Sequence, residues 1–458
     1  MKYHVLTLFP EMIEQGMHTS ILKRAMEKGC ISLECVNIRD FSKDKHMSVD
    51  DYPYGGGAGM LMQAEPVYEA WKSIEGHEHI KTLYMSPKGR TFTQKVAEEL
   101  SLCDELIFLC GHYEGIDERA LEKIGVECIS IGDYVLTGGE LPAMVMMDCI
   151  SRFLPGVLNN QLSSVSESFT GDLLEYPQYT RPEIWQGMSV PKVLLSGNHK
   201  DIVAWEKEEA LRLTKSLRPD MYERYEEKSL ALKLLMKKKR ENACIIDDLL
   251  TGEGELISFQ NGISVVYHLK SHTLMAFGEG KCSIEDLPQT LPEDIVFICT
   301  NLEELLEDIK AKYGFKPYQC CYQSVYTRPE KLPVEHKDIR TLSMEHFETI
   351  NANYEDGEMG VYIKNRILNQ AMFGAFKGEE MIGFCGVHID GSLGMLYVKE
   401  EYRRGHTGSS LASYLVNYAL QRGLVPYAHI EATNEKSLKM QEPMGLYLSK
   451  KKIYWLKA

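Results

Sequence analysis

The stretch CISIGDYVLTGGELPAMVMMDCISRFLPGVL, residues 128–158, decides how the first half of this chain folds. It begins with an apolar run typical of a β-strand and breaks at Gly132. It then passes through GGELP, residues 138–142, into an apolar segment typical of a helix. Glycine tolerates positive φ and lets a ligand approach bare backbone, and proline suits a first helical turn. The pattern predicts a ligand-binding turn at a helix N-terminus, although an ordinary tight turn would also fit.

Three earlier stretches strengthen the ligand-binding interpretation. LYMSPKGR (83–90) and FLCGHYEGIDER (108–119) also place glycine turns directly after apolar strands, and YPYGGGAGM (52–60) lies in a polar loop. Strand and helix patterns alternate between them. This alternation predicts an α/β domain with a mainly parallel sheet, whose glycine turns meet at the carboxyl ends of the strands, where ligands usually bind.

Together these motifs resemble the bacterial tRNA (guanine-N1)-methyltransferase family over about the first 240 residues. The resemblance implies a SPOUT-type α/β domain with a deep trefoil knot, tRNA as substrate, and a homodimer with its active site at the subunit interface. It also implies that S-adenosylmethionine is wrapped by the loops at the knot. The cofactor-binding residues carried over are Ser86, Pro87, Gly111, Tyr113, Glu114, Ile131, Gly132, Asp133, Tyr134, Val135, Leu136, Gly138, Gly139 and Pro142.

The resemblance also implies two catalytic residues. Guanine N1 must lose its proton before it attacks a sulfonium methyl, so a carboxylate base and a cation near O6 are expected. Arg152 takes the cation role. Glu167 stands where the family has an aspartate base, although a solvated linker charge is the alternative and Asp172 a less favoured substitute.

Some acidic residues and some departures from the family pattern leave alternatives open. Glu114, Asp133 and Glu140 could hold cofactor hydroxyls, the cofactor ammonium or Mg²⁺, or simply cap turns. His112 stands where an arginine is usual. We therefore expect cofactor binding to persist better than substrate choice. A diverged paralogue with another RNA target, or a non-catalytic sensor of cofactor or RNA, is the alternative function.

A second chemical centre lies at VKEEYRRGHTGSSLASYLVNYALQRG, residues 398–423. A strand, an Arg/Gly loop and an amphipathic helix suit a bound pyrophosphate. The stretch resembles the acetyl-CoA-binding motif of GNAT-type N-acetyltransferases. His406 takes the place of the first glycine, and Gln441 that of a tyrosine general acid. The acetyl-CoA-binding residues carried over are Arg403, Arg404, Gly405, Gly408, Ser409 and Asn434.

These observations predict five segments. They are a knotted methyltransferase domain (1–158), a flexible linker (159–175), a helical tRNA-binding domain (176–240), an accessory α+β lobe (241–335) and a GNAT-like α+β domain (336–458). We interpret the accessory lobe as a degenerate half of a two-lobed acetyltransferase module.

Composition sets further bounds. A net charge of −15 argues against a general nucleic-acid coat, although residues 237–240 form a basic patch or a solvated helix end. Twelve cysteines without metal-type spacing indicate reduced thiols. No signal-like segment or membrane-length apolar run is present, so we expect a cytoplasmic protein with no membrane partner.

Overall fold

A parallel sheet organises the N-terminal part of the chain, as the alternating strand and helix patterns predict. The computed structural model describes residues 1–57, 59–158, 168–279, 282–292, 294–354 and 359–458. They group into two units, Met1–Leu211 and Arg212–Ala458.

The first unit contains short strands and helices in alternation. Its strands are β1 (Lys2–Thr7), β2 (Ser32–Asn37), β3 (Asp50–Asp51), β4 (Leu61–Met62), β5 (Lys81–Thr91), β6 (Glu105–Leu109), β7 (Glu127–Ser130), β8 (Ile184–Trp185) and β9 (Met188–Ser189). Its helices are α1 (Pro10–Met17), α2 (Ser20–Glu27), α3 (Ala64–Lys72), α4 (Gln94–Leu100), α5 (Glu118–Ile124), α6 (Glu140–Ser151), α7 (Lys192–Leu195) and α8 (His199–Leu217), which crosses into the second unit.

The main sheet of this unit has the order β2-β1-β6-β5-β7, and all its pairings are parallel. Helices cover both faces, so its strands are apolar on both sides. Tyr3 and Val5 of β1 enter one core, whereas Leu6 and Leu8 enter the other. The predicted trefoil knot and helical tRNA-binding domain stay predictions.

The second unit contains helices and strands from both predicted lobes. Up to the end of the first lobe they are α9 (Pro219–Leu235), α10 (Ala243–Thr251), β10 (Gly254–Gln260), β11 (Ile263–His268), β12 (Thr273–Gly278), β13 (Phe297–Thr300), α11 (Leu306–Tyr313) and β14 (Lys316–Val325). The second lobe adds β15 (Ile339–Thr341), α12 (Phe347–Asn351), α13 (Gly360–Leu368), β16 (Met372–Lys377), β17 (Glu380–Val387), β18 (Leu393–Val398), α14 (Thr407–Gln421), β19 (Tyr427–Glu431), α15 (Glu435–Gln441) and β20 (Tyr447–Lys457).

Both lobes repeat one order of elements. A helix precedes three antiparallel strands, and after a connection come a strand, a helix and a last strand. The lobes exchange their last strands, because β14 pairs with β19 and β20 pairs with β13. The two exchanged strands also pair with each other, in a seven-stranded sheet of order β10-β11-β12-β13-β20-β14-β19.

The lobes differ at one position. In the first lobe, β12 and β13 form a continuous parallel pair, and only a three-residue 3-10 turn, Ile284–Asp286, is described between them. In the second lobe, α14 connects β18 to β19, and within the described residues these two strands edge separate sheets and do not pair. Within the described residues, the second lobe therefore leaves the facing edges of β18 and β19 unpaired next to α14.

Candidate active sites

The predicted cofactor loops of the first unit lie at one edge of its sheet. They follow β5, β6 and β7, which are spatial neighbours with parallel directions. The first loop is a bulge within β5 rather than the end of a shorter strand, because Met85 and Arg90 both pair with Ile129. Ser86 and Pro87 therefore project at the carboxyl edge, and the Ser86 hydroxyl accepts the Lys88 N–H at 3.3 Å.

Main-chain hydrogen bonds tie the second loop, residues 110–117, to its neighbours. The Gly139 N–H donates to the Gly111 carbonyl at 2.9 Å, which joins it to the third loop. Glu114 N–H donates to Met60 at 3.0 Å, and Met62 N–H donates to Gly115 at 2.9 Å, which joins it to the glycine-rich segment. The structure thus brings all four sequence motifs to one place.

Two glycines are required by these close approaches. A Cβ on Gly139 would lie 2.8 Å from Cys110 Cα, and one on Gly111 would lie 3.0 Å from the Tyr84 ring. The Cys110 thiol is fully buried, and burial, reinforced by Glu140, raises its pKa well above the usual range. Cys110 is therefore an inert packing residue at the site.

A buried carboxylate stands at the start of α6. Glu140 is 3% exposed; its Oε1 accepts the Thr7 hydroxyl at 2.7 Å, and its Oε2 lies 3.9 Å from His112 Nε2. Glu140 is thus held inside the loop framework, which favours a structural role over direct contact with a cofactor. Sequence reasoning missed Thr7, because no local pattern connects positions separated by 133 residues.

The third loop presents main chain and exposed side chains. Tyr134 is 56% exposed, Val135 88% and Leu136 39%, and Asp133 is also exposed. Ile131 and Gly132 are partly buried at its start, and Pro142 is buried in the first turn of α6. Tyr113 adopts a positive φ of 58° and leaves its ring 42% exposed. These groups outline an open cradle rather than an enclosed cavity.

The two predicted catalytic residues are placed differently. Arg152 follows the last turn of α6 at its C-cap, at the opposite end of that helix from Glu140. Glu167 lies outside the described residues. A separate concavity of about 480 Å³, lined by Tyr68, Trp71 and Glu127 among others, lies at the amino ends of the strands, opposite to the predicted site.

The predicted pyrophosphate loop precedes α14 in the second unit. His406 is the N-cap of α14 and adopts the left-handed conformation, with φ 62° and ψ 2°. Arg404 also has a positive φ, 66°. A side chain thus occupies a conformation that glycine adopts without strain. The first N–H groups of α14, from Thr407 through Gly408 to Ser409, have no partner within the helix itself.

Other predicted acetyl-CoA residues already make contacts. The Arg403 Nε donates to the Val398 carbonyl at 3.0 Å. The Asn434 Oδ1 accepts the Ser437 N–H at 3.1 Å and so caps α15. Gln441 is buried, with hydrogen bonds at both ends of its amide. Gln441 is consequently a structural residue here.

The described residues give little support to a metal site. No group of three or more His, Cys, Asp or Glu side chains in the described ranges is arranged to hold a metal ion, so the expected role for Mg²⁺ lacks a ligand cluster there. All twelve cysteines lie in these ranges, and none forms a disulfide there. Among the helices so described, none is long and apolar enough to span a bilayer.

Comparison with known proteins matches both halves of the chain. The family described as tRNA (Guanine-1)-methyltransferase TrmD matches residues 1–224, and the Acetyltransferase (GNAT) family matches residues 337–446. A tRNA (guanine-N(1)-)-methyltransferase of Lachnospira eligens is 56% identical over 230 residues, 50% of this chain and 98% of that protein. Proteins of the same name from Clostridioides difficile (54% over 231 residues, 50% of this chain) and Staphylococcus epidermidis (52% over 244 residues, 53%) are matched over their full lengths.

Proposed function

Because the chain belongs to the tRNA (guanine-1)-methyltransferase family over its N-terminal half and carries a GNAT-family acetyltransferase domain in its C-terminal half, we propose a bifunctional role. The first half transfers a methyl group from S-adenosylmethionine to N1 of guanosine in tRNA. The second half binds acetyl-CoA. The observation that carries the methyltransferase assignment is the meeting of three loops at one sheet edge, held by the Gly139–Gly111 hydrogen bond.

The cradle fits a cofactor bound mainly by backbone. The main chain of residues 133–137 is outside regular structure, and its side chains are exposed. S-adenosylmethionine supplies an electrophilic methyl group when bound. The protein must orient that methyl group and exclude other nucleophiles. Gly138 and Gly139 favour both, because without a Cβ the main chain can approach the cofactor closely.

Two residues outside the cofactor loops accept the guanine proton and stabilise the negative charge that results. Glu167 takes the N1 proton, and the Arg152 guanidinium stabilises the negative charge that then develops at O6. Glutamate is one methylene longer than the family's aspartate, which moves the carboxylate by about 1.5 Å. The polypeptide around Glu167 must absorb that shift, since misplacement on this scale costs about a hundredfold in rate.

The position of Arg152 supports a homodimer. At about 1.5 Å per residue, α6 separates Arg152 by roughly 18 Å along the helix axis from Glu140, which adjoins the cofactor loops. Leu141 and Val145, one turn apart on α6, are 48% and 52% exposed in the single chain. An apolar stripe on this helix suits contact with a second copy, which would bring each Arg152 to the partner's loops.

The substrate guanosine is taken to be position 37 of tRNA, 3′ of the anticodon. The test is incubation of the full chain with methyl-labelled S-adenosylmethionine and unmodified tRNA, followed by nucleoside analysis and mapping. Labelled N1-methylguanosine at position 37 is the expected product. Label at another nucleoside would instead indicate a changed RNA target, and cofactor binding without methylation would indicate a sensor.

The acetyl-CoA assignment follows from a difference between the two lobes. The unpaired edges of β18 and β19, next to the N-terminus of α14, leave backbone donors and acceptors for an extended ligand. The equivalent strands of the first lobe, β12 and β13, are already paired with each other. The second lobe therefore carries the cofactor site, and the first acts as its structural partner. A thermal-shift titration of the full chain with acetyl-CoA tests this.

A further inference from the structure

His429 of β19 is a polar side chain without a structural role. Both of its ring nitrogens are shielded from solvent, and neither has a hydrogen-bond partner in the described part of the chain. Its ring contacts two aromatic neighbours, Tyr427 and Trp455, each with centroids 5.6 Å away. Leaving such a group unpaired costs about 1–3 kcal/mol, so nothing in packing alone accounts for a histidine here.

The titratable groups that interact electrostatically with His429 are fixed by their own hydrogen bonds. The Oδ1 of Asp390 accepts both the N–H and the hydroxyl of Ser392, at 3.1 and 2.7 Å. His388 Nδ1 lies 2.8 Å from the hydroxyl of Tyr362. Burial lowers the pKa of His429 to about 4; Asp390 acts in the opposite direction, and His388 reinforces the lowering. The imidazole is thus neutral at pH 7, and both of its ring nitrogens are free of the hydrogen bonds that hold Asp390 and His388.

The other candidate proton carriers near the open strand edge are engaged. Gln441 accepts from Ser324 and donates to Ser437, and an amide does not titrate. The Tyr427 hydroxyl donates to the Asp390 carbonyl, and burial raises the pKa of that hydroxyl well above its usual range. Among the described residues here, His429 differs from these neighbours because both of its ring nitrogens lack a hydrogen-bond partner.

We propose that His429 is a catalytic residue of the C-terminal half, which carries a proton from an amine acceptor to the departing thiolate. This inference rests on the proposed acetyl-CoA binding. The amine lone pair forms the C–N bond at the thioester carbonyl, and His429 takes the N–H proton. The C–S bond breaks, and the imidazolium returns that proton to sulfur, which gives the free thiol. One group thus acts as base and then as acid, which removes the need for a tyrosine at position 441.

The experiment uses the full chain as wild type, His429→Gln and His429→Phe. Calorimetry first measures acetyl-CoA affinity, and melting temperature verifies folding. Thiol release from acetyl-CoA is then followed with spermidine, a lysine peptide and glycinamide as amine probes, across pH 6 to 9. We expect unchanged affinity and a loss of amine-dependent release of about a hundredfold or more in both variants, since a general base contributes about 10²–10⁴. The size of the loss should stay constant from pH 6 to 9, because amine deprotonation raises the rates of wild type and variants equally and His429 is neutral throughout this range.

Three results separate the possible failures. Absence of acetyl-CoA binding by wild type would remove the proposed cofactor function, and this inference with it. Binding without amine-dependent release from wild type would overturn the role of His429 and leave cofactor binding intact. A variant that binds normally and keeps its rate within threefold would overturn it as well. The His429→Phe variant guards against a folding artefact, because the ring nitrogens of His429 have no hydrogen bond to lose among the described residues.

Discussion

The hydroxyl of Ser324 donates a hydrogen bond to the side-chain oxygen of Gln441 at 2.8 Å, and both residues are buried. Ser324 lies on the exchanged strand β14, and Gln441 is the last residue of α15. The residue that replaces the family's tyrosine therefore connects a strand of one lobe to a helix of the other. Its amide is part of the lobe exchange and not of an acid–base site.

This contact predicts the result of restoring the tyrosine. Gln441→Tyr should lower the free energy of unfolding by about 1–3 kcal/mol, because it loses the Ser324 bond and adds volume to a packed site. It should not increase acetyl transfer. Ser324→Ala is the matched control: it removes the same hydrogen bond without adding volume, and it should cost about 1–3 kcal/mol because it leaves the buried Gln441 oxygen without a donor. A stable Gln441→Tyr protein with raised thiol release would contradict this expectation.

The cofactor loops give a second prediction. Gly139→Ala should weaken S-adenosylmethionine binding tenfold or more, because its Cβ would lie 2.8 Å from the Cys110 Cα and separate the two loops. Isothermal calorimetry measures the affinity. Gly125→Ala is the control: it introduces backbone strain at φ +73°, which Gly139 at φ −83° does not have, but it meets no atom within 4 Å and lies at the end of α5. Equal losses in both variants would argue against a specific loop contact.

Much of the loop framework around the candidate cofactor site could be predicted from sequence, because each loop is local and carries its own glycines. Long-range pairings could not. Thr7 meets Glu140 across 133 residues, and Ser324 meets Gln441 across 117. The sequence patterns did not indicate that β14 and β20 are exchanged between the lobes. A strand has the same pattern of apolar residues whether it pairs within its own lobe or with the other lobe. His429 belongs to no local sequence motif. It is identified as a candidate catalytic residue only by its ring nitrogens, which lack hydrogen-bond partners in the described structure.

The placement of Arg152 predicts complementation between subunits. Arg152→Ala and Gly139→Ala chains should each methylate tRNA poorly. If Arg152 serves the partner's cofactor loops, a mixed dimer has one site with both defects and one intact site. Equal mixing with subunit exchange should then restore roughly a quarter of wild-type activity, because about half the dimers are mixed. If Arg152 served its own loops, every mixed site would carry one defect and activity would stay low. Methylation assays before and after subunit exchange distinguish the two.

Asp247 predicts how stability depends on pH. It is 6% exposed, and burial raises the pKa of its carboxyl to about 6, while a hydrogen bond from the Val425 N–H opposes the rise and Glu253 adds to it. Folding thus favours the protonated form. The stabilisation is complete below about pH 3.8 and is lost as pH rises through about 6.

Asp247→Asn keeps an acceptor for Val425 and removes the charge. It should raise the stability of the C-terminal unit at pH 7.5 by roughly 1–3 kcal/mol and change it little at pH 4. Denaturant unfolding at the two pH values measures this. A variant whose stability gain is the same at pH 4 and pH 7.5 would show that the carboxyl does not titrate as described.

The left-handed residues before α14 give the last prediction. His406→Gly should stabilise the C-terminal unit by about 1 kcal/mol, because glycine adopts φ 62° without the cost that a Cβ imposes. It should also tighten acetyl-CoA binding, since the ligand then meets bare backbone at the helix N-terminus.

Arg404→Gly is the informative control. It relieves the same strain at φ 66° but removes a guanidinium, so it should stabilise the fold and yet weaken binding. Thermal unfolding with and without acetyl-CoA measures both effects. If both variants changed the acetyl-CoA affinity in the same direction, the expectation would be wrong that the main chain and the Arg404 guanidinium of this loop both bind the pyrophosphate.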